Sequence, residues 1–466
     1  LTIPAQRSLR RPYIGRSSFG QVVRTSLPIV VDLASQILMW TIEATLVGRI
    51  PHSLLADFGP EVTGAVALTA VGNVVQIIIF TFTIFLTFVV GATLVINRFL
   101  GAGRYRVAHH FFGQAIFMTV VSSLFVAAGW FFLARPIFAW ILGAPSGAVR
   151  VGIHYFRIVA LFLPFILLNF VMLGIIRGAG RTRVSMSVNL LINGLHLLLA
   201  VGLIFGNFGL PALGVTGAAL AGATAHTLGC VVTLTLVAKG KCLLRPRWKD
   251  LRALRVRTLR DIFGQGFPTT VEQLFWTGGI TGVLLLSNRL GSAAAAAQVI
   301  LITIQRLLSM IYQALGLGTM TLVGQHHGSK RPREVERTVV FFSLVGGGST
   351  LVLATVFFLL ARPIVNLFTR EPDLVEAGAG LLKVLAVVQI PKALTNVFGS
   401  ALRGVGDVRF PMYLTVIGVV VFELALGATL AFTIGIGLLG FWIAMGIDEG
   451  FRTGLNARRF RRGDWR

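Results

Sequence analysis

Charge is what this chain is shortest of. Only 13% of its 466 residues are charged, about half the roughly 25% of a soluble globular chain. Cysteine is almost missing as well: Cys230 and Cys242 make no metal-ligand pattern and no expected disulfide. There is no His-Glu-x-x-His, no Gly-x-Ser-x-Gly and no pair of loop acids, so the common metalloprotease and hydrolase constellations are excluded and an enzyme is not expected. No cofactor is implied. No nucleotide-binding module is present, which excludes ATP-driven pumping by this chain alone. The glycine-rich pieces Gly316-Leu317-Gly318 and Gly346-Gly347-Gly348 follow no strand and read as close helix contacts, not phosphate loops. The start, Leu1–Gly20, is basic and too weakly apolar for a cleaved signal peptide.

What fills the chain is apolar. Hydrophobic residues make up 55% and the mean hydropathy is +0.82. Val74–Val90, Leu190–Phe205 and Val339–Leu360 run long without Asp, Glu, Lys or Arg. An α-helix needs about 20 such residues to cross a ~30 Å hydrocarbon layer, and lipid leaves the backbone no partner outside the segment. The runs are too long for barrel strands, so the expectation is helices. The net charge of +25 invites a nucleic-acid partner, but its distribution argues against one. About 32 of the 42 Lys and Arg fall in alternate connections and at the two ends, as the positive-inside rule requires of a multi-pass protein of the cell (inner) membrane with both termini cytoplasmic. That excess also attracts anionic lipid.

The chain repeats itself. Under a constant shift of 227 residues Gly91 meets Gly318, Gly101 meets Gly328 and Ala134-Arg135-Pro136-Ile137 meets Ala361-Arg362-Pro363-Ile364. Pro164 and Asn169 meet Pro391 and Asn396 under the same shift. It becomes 226 at Arg177-Gly178-Ala179-Gly180, which meets Arg403-Gly404-Val405-Gly406, and is 240 before the first loop, pairing Pro28 with Pro268. The difference is an insertion around Pro51–Thr63. Six helices per copy puts both copies in the same orientation, as parallel repeats. The expected fold is an all-α membrane protein of twelve transmembrane helices in two pseudo-symmetric six-helix lobes around a central cleft. Its parts are a cytoplasmic N-terminus (1–25), an N-lobe (26–238), a cytoplasmic linker (239–261), a C-lobe (262–456) and a basic tail (457–466). The linker, with Trp248 and several arginines, suggests an amphipathic helix on the inner leaflet. Pro164 and Pro391 should kink their helices, with Asn169 and Asn396 satisfying the freed backbone.

Several segments resemble the multidrug and toxic compound extrusion (MATE) family along nearly the whole chain. They are Leu46-Val47-Gly48-Arg49, Arg177-Gly178-Ala179-Gly180, Ile204-Phe205-Gly206, Leu210-Pro211-Ala212-Leu213-Gly214 and Leu402-Arg403-Gly404-Val405-Gly406-Asp407. The resemblance implies a V-shaped pair of lobes that exports amphipathic, often cationic small molecules in exchange for protons or sodium. The alternative it leaves open is a flippase or exporter of lipid-linked or anionic metabolites of the same superfamily. A monomer is expected.

Ionisable residues inside membrane helices are expensive and mark function by default. Asp32 and Glu43 lie on the first helix, 11 residues apart, close to three turns, so they share one face about 16 Å apart in height. The resemblance places an acid at Glu43. His196 stands where the family commonly has asparagine, and Ala200 where its cation-binding branch has aspartate, so His196 is a candidate substitute partner, with Asn193 nearby. These four are the ion-coupling candidates; the alternative for the acids is snorkelling to the interface. The second half offers Glu272, Arg306, Lys392 and Glu423, either a charged substrate-cavity wall or mutually neutralising pairs. Trp276 and Lys392 occupy the two positions where the sodium-coupled branch tends to have carboxylates. A lysine there repels a cation, so protons are expected over sodium.

Overall fold

The computed structural model describes residues 18–141, 146–246, 250 and 255–465. The N-terminal stretch before residue 18 and the linker helix expected around Trp248 lie outside them. Twelve long helices follow in order. The first half gives α1 (Phe19–Gly48), α2 (Gly64–Gly101), α3 (Tyr105–Pro136), α4 (Ser146–Gly178), α5 (Thr182–Phe205) and α6 (Gly214–Ala238). The second gives α7 (Val256–Asn288), α8 (Ser292–Gly328), α9 (Pro332–Leu359), α10 (Pro372–Val405), α11 (Arg409–Thr433) and α12 (Leu438–Arg462). A short helix, Ala361–Asn366, precedes α10.

Ten of the twelve are long and apolar enough to cross a membrane; α7 and α12 have the length but are less apolar. Several helices outrun the spans read from hydropathy. α1 starts at Phe19 and α12 continues to Arg462, so part of the expected terminal tails is helical. Hydropathy marks only the part of a helix that lies in hydrocarbon, whereas the backbone ladder continues through any residue that tolerates it. At 38 and 37 residues, α2 and α8 are the longest pair, about 56 Å each at 1.5 Å per residue. They are also repeat partners.

The chain divides into two compact units. Of the described residues, one holds those up to Val30, Asn97–Tyr105 and those from Gly264 on; the other holds those within Val31–Ile96 and Arg106–Phe263. The break in α1 comes just after Pro28, which removes a backbone donor. In the second of these units α6 packs on both α4 and α5, and α4 is the most deeply buried span. In the first, α10 is the centre, packed on α8, α9 and α12. Small residues permit the closest approaches there. A Cβ on Gly316 would come within 2.9 Å of Ser400 Oγ, so Gly316 is a helix contact as expected. A Cβ on Gly101 would strike the Gln325 carbonyl, and one on Gly328 the Arg98 carbonyl. These two glycines are repeat partners, so the contact is reciprocal. Arg98 fixes it by donating from Nη2 to the Val405 carbonyl at 2.8 Å.

The prolines lie inside their helices as expected, but the asparagines do not serve them. Asn396 donates to the Lys392 carbonyl at 3.1 Å, and Asn169 accepts from Thr233 Oγ1 at 2.8 Å. Each asparagine lies five residues beyond its proline, too far along to reach the carbonyl the ring displaces. The inserted loop folds as two single turns, His52–Leu54 and Ala56–Phe58. Arg150 of α4 pins it, donating from Nε to the Phe58 carbonyl at 2.6 Å and pairing with Glu61. A hydrogen bond to its own backbone and the Arg150 guanidinium hold the Glu61 carboxyl below its usual range.

Candidate functional site

Helix α1 presents both of its acids to α4 and α5, as the three-turn spacing requires. Asp32 is fully buried and completely engaged. Arg177 of α4 donates to its Oδ2 at 2.9 Å, Asn189 of α5 to its Oδ1 at 2.7 Å, and Ser185 stands 3.4 Å from Oδ2. The second half builds the same device. Arg403 of α10 holds both oxygens of Glu272 at 2.9 and 2.8 Å, and Thr415 of α11 lies 3.4 Å from Oε1. Arg177 and Asn189 map onto Arg403 and Thr415 under the 226-residue shift, and Asp32 onto Glu272 under 240. An acid on the first helix, an arginine at the end of the fourth and a hydrogen-bonding residue on the fifth thus recur as a clamp. Glu272, for which a cavity wall and a neutralised pair were both open, is paired with Arg403.

Glu43 is placed differently. It is 7% exposed, and no Lys or Arg pairs with it among the described residues. Tyr155 of α4, itself buried, donates from Oη to Glu43 Oε1 at 3.0 Å. His196 Nε2 of α5 stands 3.7 Å from the same oxygen and has no hydrogen-bond partner among the described residues. Gly222 of α6 makes room for that ring, since a Cβ there would lie 3.2 Å from Nε2. One turn further along α6, His226 comes within electrostatic reach of His196. A carboxylate, a phenol and an imidazole therefore meet among α1, α4 and α5, with the second imidazole on α6 near the first. Asn193 is elsewhere: it donates to Ser35 Oγ at 2.9 Å, on the Asp32 side. The structure brings Glu43 to His196 and leaves Asp32 and Asn193 out.

The second half holds a denser cluster. Lys392, Glu423, Asp448, Glu449 and Arg452 are each 5% exposed or less. Arg452 Nη2 pairs with Asp448, with Glu449 Oε1 at 3.1 Å and with Glu423 Oε1 at 3.8 Å, and Lys392 Nζ lies 3.5 Å from Glu449 Oε1. Glu423 reaches it from Gly418–Leu426, a π-helical stretch of α11; such widened turns often mark functional positions. Gly418 opens the space for Asp448, whose carboxylate a Cβ would meet. Thr415 joins cluster to clamp, lying 3.4 Å from Arg452 Nη1 and from Glu272 Oε1. Arg306, expected beside these residues, is exposed on α8, and Trp276 is half-buried on α7.

Sequence reasoning missed Tyr155, His226, Asp448, Glu449 and Arg452. The last error has a physical reason. Arg452 lies in a charged helix with many other arginines, and only the i, i+3 and i+4 spacing of Glu449 and Asp448 would have shown it paired and buried.

Ionisable groups carried into membrane-length helices define a multi-pass membrane protein with charges placed for function. The family model MatE matches residues 60–201 and 268–429, one stretch in each half. The chain belongs to the MatE family. It is 26% identical over 461 residues to a probable multidrug resistance protein NorM of Thermotoga maritima, across 96% of this chain and 92% of that one. It is likewise 26% identical to the uncharacterized transporter YisQ of Bacillus subtilis, across 90% of each. A MOP superfamily transporter from Pyrococcus furiosus has the same fold, with a TM-score of 0.84 at 20% identity over 99% of this chain and 98% of that one. So has the Vibrio cholerae MATE transporter VcmN in a mutant form, with a TM-score of 0.85 at 19% identity over 96% and 98%.

Proposed function

We propose that this chain is a secondary efflux antiporter of the cell membrane, both termini cytoplasmic, exporting amphipathic cationic compounds in exchange for protons. The two halves rock between inward and outward access, and Glu43 carries the exchanged proton. One observation supports this above the rest: among the described residues Glu43 is buried against Tyr155 and His196 with no guanidinium or ammonium fixed on it, whereas Asp32 and Glu272 are each held by an arginine. A carboxyl tied to arginine is a poor exchanger, because releasing its charge strands the partner. A carboxyl facing a phenol and an imidazole can change protonation with small rearrangement, His196 accepting or returning the proton. The naming of relatives as multidrug resistance proteins supports drug-like substrates.

Protons are favoured over sodium, because Lys392 puts an ammonium among the second-half carboxylates, 3.5 Å from Glu449. Export of anionic or lipid-linked metabolites is the weaker reading, since the cations that would hold an anion, Lys392, Arg403 and Arg452, are already paired with acids.

Proteoliposomes with separately imposed gradients test the proposal. A proton gradient should drive accumulation of a lipophilic cation such as ethidium, a sodium gradient should not, and Glu43→Gln should lose the proton-driven component. Sodium-only drive, or full activity in Glu43→Gln, would sink it.

A further inference from the structure

One face of α12 turns away from the buried charge cluster and is exposed along its length. Ile443, Ile447 and Phe451 recur on it at helical spacing, all exposed. Gly450 and Gly454 continue the same face, and a Cβ added at either would meet nothing within 4 Å. Arg458, Arg461 and Arg462 end it. These three arginines, Ala457 and Gly454 line an open concavity of about 480 Å³. No carboxylate pairs with any of the three among the described residues. Arg459, on the neighbouring face, is by contrast held by Asp407 at 2.9 Å and Asp464 at 2.8 Å. The helix end is also fixed, because Trp465 stacks on Phe460 with centroids 5.1 Å apart and donates from Nε1 to its carbonyl at 2.8 Å.

We propose that this face binds one anionic phospholipid, its phosphate held by Arg458, Arg461 and Arg462 and an acyl chain lying along Gly454, Phe451 and Ile447. The dimensions agree: from Ile443 to Gly454 the helix rises about 16 Å, close to half of a ~30 Å hydrocarbon layer. Guanidinium forks match phosphate oxygens in pairs, and three unpaired cations select a net negative headgroup. A choline headgroup would bring its own ammonium among them. The glycines leave a channel in which a chain can lie against the backbone. The basic connections place this end of α12 at the inner leaflet, where anionic lipid is concentrated. The site is independent of the coupling scheme above.

Native mass spectrometry of the full chain, released from detergent containing equal phosphatidylglycerol and phosphatidylcholine, tests it. The chain should retain one phosphatidylglycerol with a preference of about tenfold over phosphatidylcholine. Arg458→Gln/Arg461→Gln/Arg462→Gln should lose that lipid, and Arg104→Gln/Arg106→Gln/Arg333→Gln, removing equal charge elsewhere, should keep it. Gly454→Leu fills the channel with the arginines intact, has room to fold, and should lose it too. Three results would each overturn the site: no preference in the unaltered chain, equal loss in the control triple, or full retention in Gly454→Leu. Displacement of the lipid by millimolar inorganic phosphate alone would overturn it as well, by showing that only a phosphate is recognised.

Discussion

Two carboxylates on one helix face, three turns apart, meet opposite fates because of what the fourth and fifth helices hold at each level. Asp32 meets Arg177 and Asn189; Glu43 meets Tyr155 and His196. Substitution should separate the roles cleanly. Asp32→Asn strands a guanidinium largely out of water, and removing one partner of a buried pair costs about 3–5 kcal/mol. A marked fall in the thermal unfolding midpoint is therefore expected. Glu43→Gln keeps an oxygen for Tyr155 to donate to, so the midpoint should barely move while proton-driven transport is lost. Equal destabilisation by both would mean that Glu43 is only another structural acid. Tyr155→Phe removes one hydrogen bond, about 1 kcal/mol, and should slow proton-driven transport without abolishing it. Of this chemistry the sequence showed Glu43, Asp32 and His196 as candidates and the turn count that aligns the acids. It could not show which acid an arginine would claim, since Arg177 lies 145 positions from Asp32 and only the packing of α1 on α4 joins them.

At the scale of elements, two devices invite measurement. Gly222 on α6 is what lets His196 lie against that helix, so Gly222→Val should push the imidazole off Glu43. Proton-driven uptake should fall while gradient-free substrate exchange persists; loss of both would point to misfolding. The second device is the linker between the halves. Asp250 is held by His110 Nδ1 at 2.6 Å, its carbonyl accepts from Gln114 Nε2 at 2.7 Å, and Arg255 N–H donates to Gln114 Oε1 at 2.9 Å. All lie in one unit, with Gly113 leaving space for Asp250. Cys242, at the start of this stretch, is 3% exposed, and burial pushes its thiol up to about 11, against a lowering by Arg181. The thiolate is the reactive form, so in a Cys230→Ala background Cys242 should resist maleimide near neutral pH. Asp250→Ala should make it label quickly. Fast labelling without that substitution would contradict the docking. The linker was legible as a basic connection and a candidate amphipathic helix, but its hold on α3 was not, because that runs through side chains with no periodic signature.

For the whole molecule, duplication is the organising fact, and it sorts scaffold from function. The acid–arginine clamp occurs in both halves at equivalent positions; the Glu43 site and the Arg452 cluster do not. Val283 stands opposite Glu43 and Phe422 opposite His196 under the repeat shifts, so the second half cannot reproduce the first-half site. What is repeated holds each bundle together, and what is unrepeated distinguishes the halves in the proposed exchange cycle. The helices and the repeat were legible because long apolar runs and fixed Gly, Pro and Arg offsets survive as local patterns. The five-residue charge cluster was not, because α10, α11 and α12 each contribute one or a few charges that look isolated in the sequence. On this account removal of Arg452 is severe at the level of folding, leaving three carboxylates close together. Arg452→Met should depress the unfolding midpoint more than Lys392→Met, which frees only Glu449 of its second cation.

The claim that matters most is that Glu43 exchanges the coupling proton, and proton release on substrate binding measures it directly. With purified transporter in weakly buffered detergent and a pH indicator, a saturating cationic substrate should displace about one proton per chain, and Glu43→Gln should displace none while still binding. Undiminished release from Glu43→Gln, or binding without release from the unaltered chain, would contradict the account.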